Sequence, residues 1–138
     1  MSQPTALMLE NQFRAARRTE ERIDLAGELA GLNNAEAVQS IGRLFRTERH
    51  PKVKMALIAG LADISQETDE AGKRTMLGEA LNRQPRDIRV AALDVLSQLD
   101  DAQSLALLRR AITFDPDKEV RETATALYQA RVGAPAKR

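Results

Sequence analysis

Pro85-Arg-Asp-Ile88-Arg-Val-Ala91-Ala92-Leu-Asp-Val95-Leu96-Ser-Gln-Leu99 places apolar or small residues at offsets 0, +3, +4, +7, +8 and +11. A helix turning 100° per residue gathers those positions into one stripe. The two alanines in its middle let another helix approach closely. Upstream, Val53, Ala56, Leu57, Gly60, Leu61 and Ile64 repeat the same offsets. Downstream, Val120, Thr123, Ala124 and Leu127 repeat the first four, with Tyr128 at +8. A fainter copy begins at Ile23, with Ala26, Gly27, Ala30 and Gly31. The anchors Ile23, Val53, Ile88 and Val120 lie 30, 35 and 32 residues apart. Periods of that length belong to stacked helical hairpins. Pro51, Pro85 and Pro116 precede their anchors, where the first helical turn has no use for a backbone N–H.

The segment Asp115-Pro116 to Val120-Arg121-Glu-Thr-Ala124 follows Leu105-Ala-Leu-Leu108 and Ala111-Ile112. Together these resemble a HEAT repeat, and the run is similar to the HEAT-like repeats of bacterial proteins. The resemblance covers residues 34 to 131 well and residues 5 to 32 weakly. The first copy departs from it, with Asp24 at +1 where Lys54, Arg89 and Arg121 stand in the others, and with no proline. The resemblance implies an all-α fold, a right-handed α-α superhelix (solenoid) of about four helical hairpins. It also implies that a base such as Arg121 bonds turn acids of its own or the next repeat, Asp115 or Asp117 being placed to serve.

A length of 138 residues suits one domain, read here as residues 1–132 with a first hairpin over 5–32 and a disordered tail over 133–138. Hydrophobic residues make up 43% of the chain and aromatic residues 3%, so the core must come from Leu, Ile, Val and Ala. There is no cysteine, which removes disulfide and thiol chemistry. No apolar run approaches the length of a membrane span, and the N-terminus lacks a signal-peptide pattern. The reading is a cytoplasmic protein with no membrane contact, a monomer or weak dimer. With 21 basic against 20 acidic residues and no strongly basic third, an extended nucleic-acid footprint is disfavoured.

In chain order, a helix is expected over Thr5 to Ala16, with Leu9, Phe13 and Ala16 on one side. Arg14, Arg17, Arg18 and Arg22 then form a basic cluster, either an anion contact or a solvated face offset by Glu10, Glu20 and Glu21. Thr19 is a candidate N-cap, the alternative being one long helix through both segments. Asn33-Asn-Ala-Glu36 and Asp100-Asp-Ala-Gln103 have the form of capping boxes. Val38, Ile41, Leu44 and Phe45 form the buried stripe of the helix after the first box. A helix over Glu70 to Asn82 carries Met76, Leu77, Ala80 and Leu81 inward. Leu105, Leu108, Ala111 and Ile112 do the same after the second box. The helical glycines are assigned to close helix packing.

Nothing here points to catalysis. His50, the one histidine, precedes Pro51 at a turn and cannot make a zinc site without carboxylates. Some HEAT-like enzymes hold iron through His-Glu pairs and others remove DNA bases with aromatic residues. This chain has no such pair and no tryptophan. No metal or cofactor is expected. One feature does suggest a binding surface. Met55 and Ile58 occupy +2 and +5 of their helix, away from the stripe, and Val90 and Leu93 do so on the next. Either these residues pack laterally against flanking helices or they form an apolar patch on a concave face. The function read from the sequence is a non-catalytic protein-interaction scaffold, with Met55, Ile58, Val90 and Leu93 as partner anchors. Lys54 and Arg89 at the rim would favour an acidic partner. The alternatives are a nucleic-acid-contacting repeat module and an enzyme accessory, since HEAT-like repeats also resemble those of bilin-attachment proteins.

Overall fold

The computed structural model describes residues 3 to 133, and every regular element among them is helical. In order these are α1 (Ala6–Ala15), α2 (Thr19–Gly31), α3 (Ala35–Thr47), α4 (Pro51–Asp63), α5 (Glu70–Ala80), α6 (Arg86–Leu96), α7 (Ala102–Phe114) and α8 (Lys118–Gly133). The protein is therefore all-α. It divides into two compact units, the first ending at Met76 and the second beginning at Leu77, so that the division falls within α5.

In the first unit, α2 packs against α1, α3 and α4, and α1 and α4 both touch α3. Thr5 caps α1, its Oγ1 accepting from the Met8 N–H at 3.1 Å. Leu9 and Phe13 are buried on its inner side, as their spacing predicts. The chain turns extended at Ala16, with ψ 133°, so α1 and α2 are separate helices and not one long one. Thr19 is the first residue of α2 and not its cap. Arg18 holds the cap position and supplies no side-chain bond. Asn34 caps α3 through a 2.8 Å bond from the Ala37 N–H, one residue later than the expected box. Its stripe of Val38, Ile41, Leu44 and Phe45 is buried. Pro51 opens α4, as its missing N–H allows. At Gly60, α4 lies so close to α2 that an added Cβ would sit 3.4 Å from the Ala30 Cβ. Gly27 and Gly31 have open space around them, so the close-packing role assigned to the helical glycines does not hold there.

The second unit pairs α7 with α8 and sets both against α6. Asp101 caps α7, its Oδ1 accepting from the Ser104 N–H. This cap too falls one residue later than expected. Leu108 and Ala111 are buried in α7, whereas Leu105 and Ile112 are half-buried and Ser104 takes the inward place. Asp117 caps α8, its Oδ1 accepting from the Glu119 and Val120 N–H groups at 2.8 and 3.3 Å. α8 runs on through Arg131 to Gly133, because the Arg131 guanidinium anchors that last turn to the Ser97 carbonyl and Asp100. Of the tail expected over 133–138, Gly133 is the last residue of α8, and residues 134–138 lie outside the described residues, as do Met1 and Ser2.

Helices α4 and α6 repeat one burial pattern, with a wider stripe than the sequence predicts. On α4 the buried residues are Val53, Leu57, Ile58, Gly60 and Leu61, and on α6 Ile88, Ala92, Leu93, Val95 and Leu96. Both sets fall at 0, +4, +5, +7 and +8, with Ile64 and Leu99 also buried at +11 just beyond the helix. The +3 residues Ala56 and Ala91 are half-buried and the +5 residues are covered. α4 is covered by α2 and α3, and α6 by α7 and α8, and a helix with two neighbours buries more than a single stripe.

The first copy has a different register from the one expected. Ile23 is half-buried, and α2 instead buries Leu25, Ala26, Leu29 and Ala30. Aligning the helices by their first residues puts a base at the fourth position of all four: Arg22, Lys54, Arg89 and Arg121. Their spacings are then 32, 35 and 32 residues.

Candidate partner-binding surface

That fourth-position base is a structural clamp wherever its bonds are seen. In the first unit, Arg22 Nη1 donates to the Ala16 and Arg17 carbonyls, at 3.5 and 3.3 Å, in the turn before its own helix. Its Nη2 donates to Glu48 Oε2 at 3.3 Å, and Nε lies 3.3 Å from Glu48 Oε1. Glu48 is the residue that ends α3. In the second unit, Arg89 donates to the Gln84 carbonyl in the turn before its helix. It also grips Asp115, which ends α7, with two bonds of 2.9 and 3.1 Å. The two pairs have the same separation of 26 residues. Arg121 bonds the Asp115 carbonyl at 2.7 Å, so Asp115 does serve Arg121, through its backbone, while its carboxylate serves Arg89.

The six anchors expected from the sequence divide between the two units. Lys54, Met55 and Ile58 lie on α4 in the first unit, and Arg89, Val90 and Leu93 on α6 in the second. Ile58 and Leu93 are fully buried, with 1% and 0% exposure, and have no surface to offer a partner. They belong to the core and not to a free patch. Val90 is half-buried, and Met55 is open at 37%. Below Met55 on α4, Ala59 and Ala62 are exposed as well. Arg89 is committed to Asp115, its side chain only 13% exposed. Lys54 is half-buried.

The basic cluster near the N-terminus also separates. Arg14 and Arg22 are bonded, to Glu10 and Glu48. Arg17 and Arg18 are exposed and their side chains make no hydrogen bond or ion pair among the described residues. The same holds for Arg49 and Lys52 in the α3–α4 turn. His50 is a turn residue, its Nδ1 accepting from the Lys52 N–H at 3.1 Å and its own N–H donating to Glu48. No group of three or more potential metal ligands occurs among the described residues, and none of their helices is long and apolar enough to cross a membrane.

Two buried charges went unread in the sequence. Glu10, 4% exposed, accepts from Arg43 at 2.8 and 3.0 Å, from the Ser40 hydroxyl at 2.8 Å and from Arg14 at 3.0 Å. The Arg43 bonds, aided by Ser40 and Arg14, outweigh burial and hold its carboxyl down at about 2. Lys73 is 1% exposed and donates to the Ile64 and Ser65 carbonyls at 3.0 and 2.7 Å, at the end of α4. Burial pushes its pKa down, partly offset by Glu70, Glu67 and Asp69. Its place three and four residues before Met76 and Leu77 puts it on their stripe, a signal the sequence did contain.

No protein-family model matches the chain, and a search of curated proteins finds none similar to it.

Proposed function

We propose that the chain is a non-catalytic protein-interaction module of the HEAT-like kind, a right-handed solenoid of about four hairpins acting as a cytoplasmic scaffold. The observation that carries this reading is the repeated clamp, in which a fourth-position arginine ties the preceding turn to the acid ending the next odd-numbered helix. Hairpins tied in this way share their core with neighbours and leave long faces for partners. The step from fold to binding is by analogy with such repeats. The partner surface on α4 is Met55 with Ala59 and Ala62, and Lys54 lies beside it. Ile58, Leu93 and Arg89 serve the fold instead.

The test is capture of a partner from source-cell extract by the immobilised chain at low and high salt. Met55→Glu should change stability by less than about 0.5 kcal/mol, as exposed substitutions do. It should also abolish capture, because an unpaired charge inside an apolar contact is costly. Unchanged capture by this variant would refute the surface. Recovery of nucleic acid that salt releases would favour the nucleic-acid alternative.

A further inference from the structure

Two exposed faces of this chain complement each other in charge and in apolar spacing. The first belongs to the hairpin α1–α2 of the first unit. Between its helices lies a hollow of about 440 Å³, with Gln12, Ala15 and Ala16 on the α1 side and Glu21, Asp24 and Glu28 on the α2 side. Of these, Ala16 is half-buried and the other five are exposed. The three acids fall at 0, +3 and +7, one row of a helix, and their carboxylates make no hydrogen bond or ion pair among the described residues. The α1 row continues past the hollow to Met8, one turn before Gln12 and 52% exposed, with Leu7 beside it at 62%. The second face is the outer side of α7 in the second unit. Ala106, Arg109, Arg110, Thr113 and Phe114 are all exposed and fall at 0, +3, +4, +7 and +8, again a single stripe. The Arg109 and Arg110 guanidiniums have no partner among the described residues. Phe114 is 73% exposed, more than any other large hydrophobic residue among those described.

We propose that the α1–α2 face of one copy docks the α7 face of a second copy, Arg109 and Arg110 meeting Asp24 and Glu28 while Phe114 rests on Met8. Charge complementarity selects this occupant: unpaired carboxylates line the hollow, and the unpaired guanidiniums that answer them stand on the same chain. The spacing agrees. Phe114 follows Arg110 by four residues, and Met8 stands four from Gln12 on the rim of the hollow, so the step from charge to apolar contact is about 6 Å on both faces. Ala106 on one face and Ala15 on the other leave room for the helices to approach. Each copy carries both faces, and both stay exposed within one chain. The contact is therefore heterologous: it joins copies head to tail and does not stop at two. One helix laid on a hairpin is a small interface, of the weak class that buries less than about 1,200 Å² in total. It uses neither Met55 nor the residues around it, and goes beyond the scaffold reading.

The experiment is sedimentation equilibrium of the full chain from about 10 μM to about 1 mM, the range in which so small an interface should associate. The mean mass should rise with concentration past that of a dimer. It should fall back when salt is raised, because the charges that meet are at the surface. Asp24→Lys with Glu28→Lys should hold the chain at the monomer, and so should Arg109→Glu with Arg110→Glu. Mixing the two variants should restore assembly, since each then meets a face of opposite charge. Phe114→Ala should weaken association by about tenfold, the contribution of one aromatic side chain. Far-UV circular dichroism confirms that each variant is folded. The proposal is overturned if the parent chain stays monomeric at the highest concentration, if it stops at a dimer, if either charge reversal leaves association unchanged, or if the mixture stays monomeric. A chain that stays monomeric while a labelled peptide of arginines around a phenylalanine binds its α1–α2 face would overturn it in favour of a foreign basic partner.

Discussion

Arg89 shows what a single side chain decides in this protein. Its guanidinium is bonded at once to a turn carbonyl and to both oxygens of a carboxylate that is 5% exposed. Bidentate geometry of this kind is the strong form of the ion pair. Removing one partner leaves the other charged and buried, so Arg89→Ala should lower stability by about 3–5 kcal/mol in urea denaturation. Arg17→Ala, an exposed change, should stay within about 0.5 kcal/mol. Equal effects at the two sites would mean that the clamp contributes nothing. Ser104 is the opposite case. Its hydroxyl is buried with no hydrogen-bond partner, at the helix position where α3 has Ala37. Ser104→Ala should therefore be neutral or stabilising, since it removes a desolvated polar group without loss of a bond.

At the scale of the helix, space around each residue sorts substitutions that the sequence treats alike. Gly27 lies inside α2 with nothing near an added methyl, so Gly27→Ala should raise stability by up to about 1 kcal/mol. Gly72 is also helical, but its Cβ would lie 2.3 Å from Asp69 Oδ2, while Asp69 Oδ1 accepts from the Gly72 N–H. Gly72→Ala should therefore destabilise, and a thermal melt of the two variants should shift in opposite directions. Leu96 is fully buried at +8 of α6, as its spacing predicts, and Leu96→Ala should cost about 2–5 kcal/mol. The helices and most of this stripe were legible because a 3.6-residue period survives in the sequence. The register of the first copy was not, because Ile23, Ala26 and Gly27 imitate the offsets two residues late. Caps were misplaced by one residue because Asn33-Asn34 and Asp100-Asp101 each offer two capping side chains, and only the path of the chain into the helix chooses. The anchors Ile58 and Leu93 were misread for a related reason: a helix's own period does not say how many neighbours flank it.

At the scale of the whole chain, stability should be acid-sensitive through Glu10. Its folded pKa of about 2 lies below the ordinary value of 4.5, so the unfolded chain takes up the proton first. The stabilisation is present above about pH 4.5 and is lost as pH falls towards 2. A lowering of this size corresponds to roughly 3 kcal/mol at neutral pH. Glu10→Gln should reduce stability at pH 7 and flatten its decline over that range in urea titrations. A decline as steep as that of the parent chain would assign the acid sensitivity to other carboxylates.

Lys73 turns the end of α4 into a reporter. An amine acylated by a water-soluble ester must be both unprotonated and reachable. Lys52 and Lys118 are exposed and should label promptly, whereas Lys73 is enclosed and holds two carbonyls. Its modification can proceed only when that corner opens, so its rate, read peptide by peptide in a mass spectrometer, measures the frequency of local opening. The chain thus has its own internal clock, with the exposed lysines as the reference.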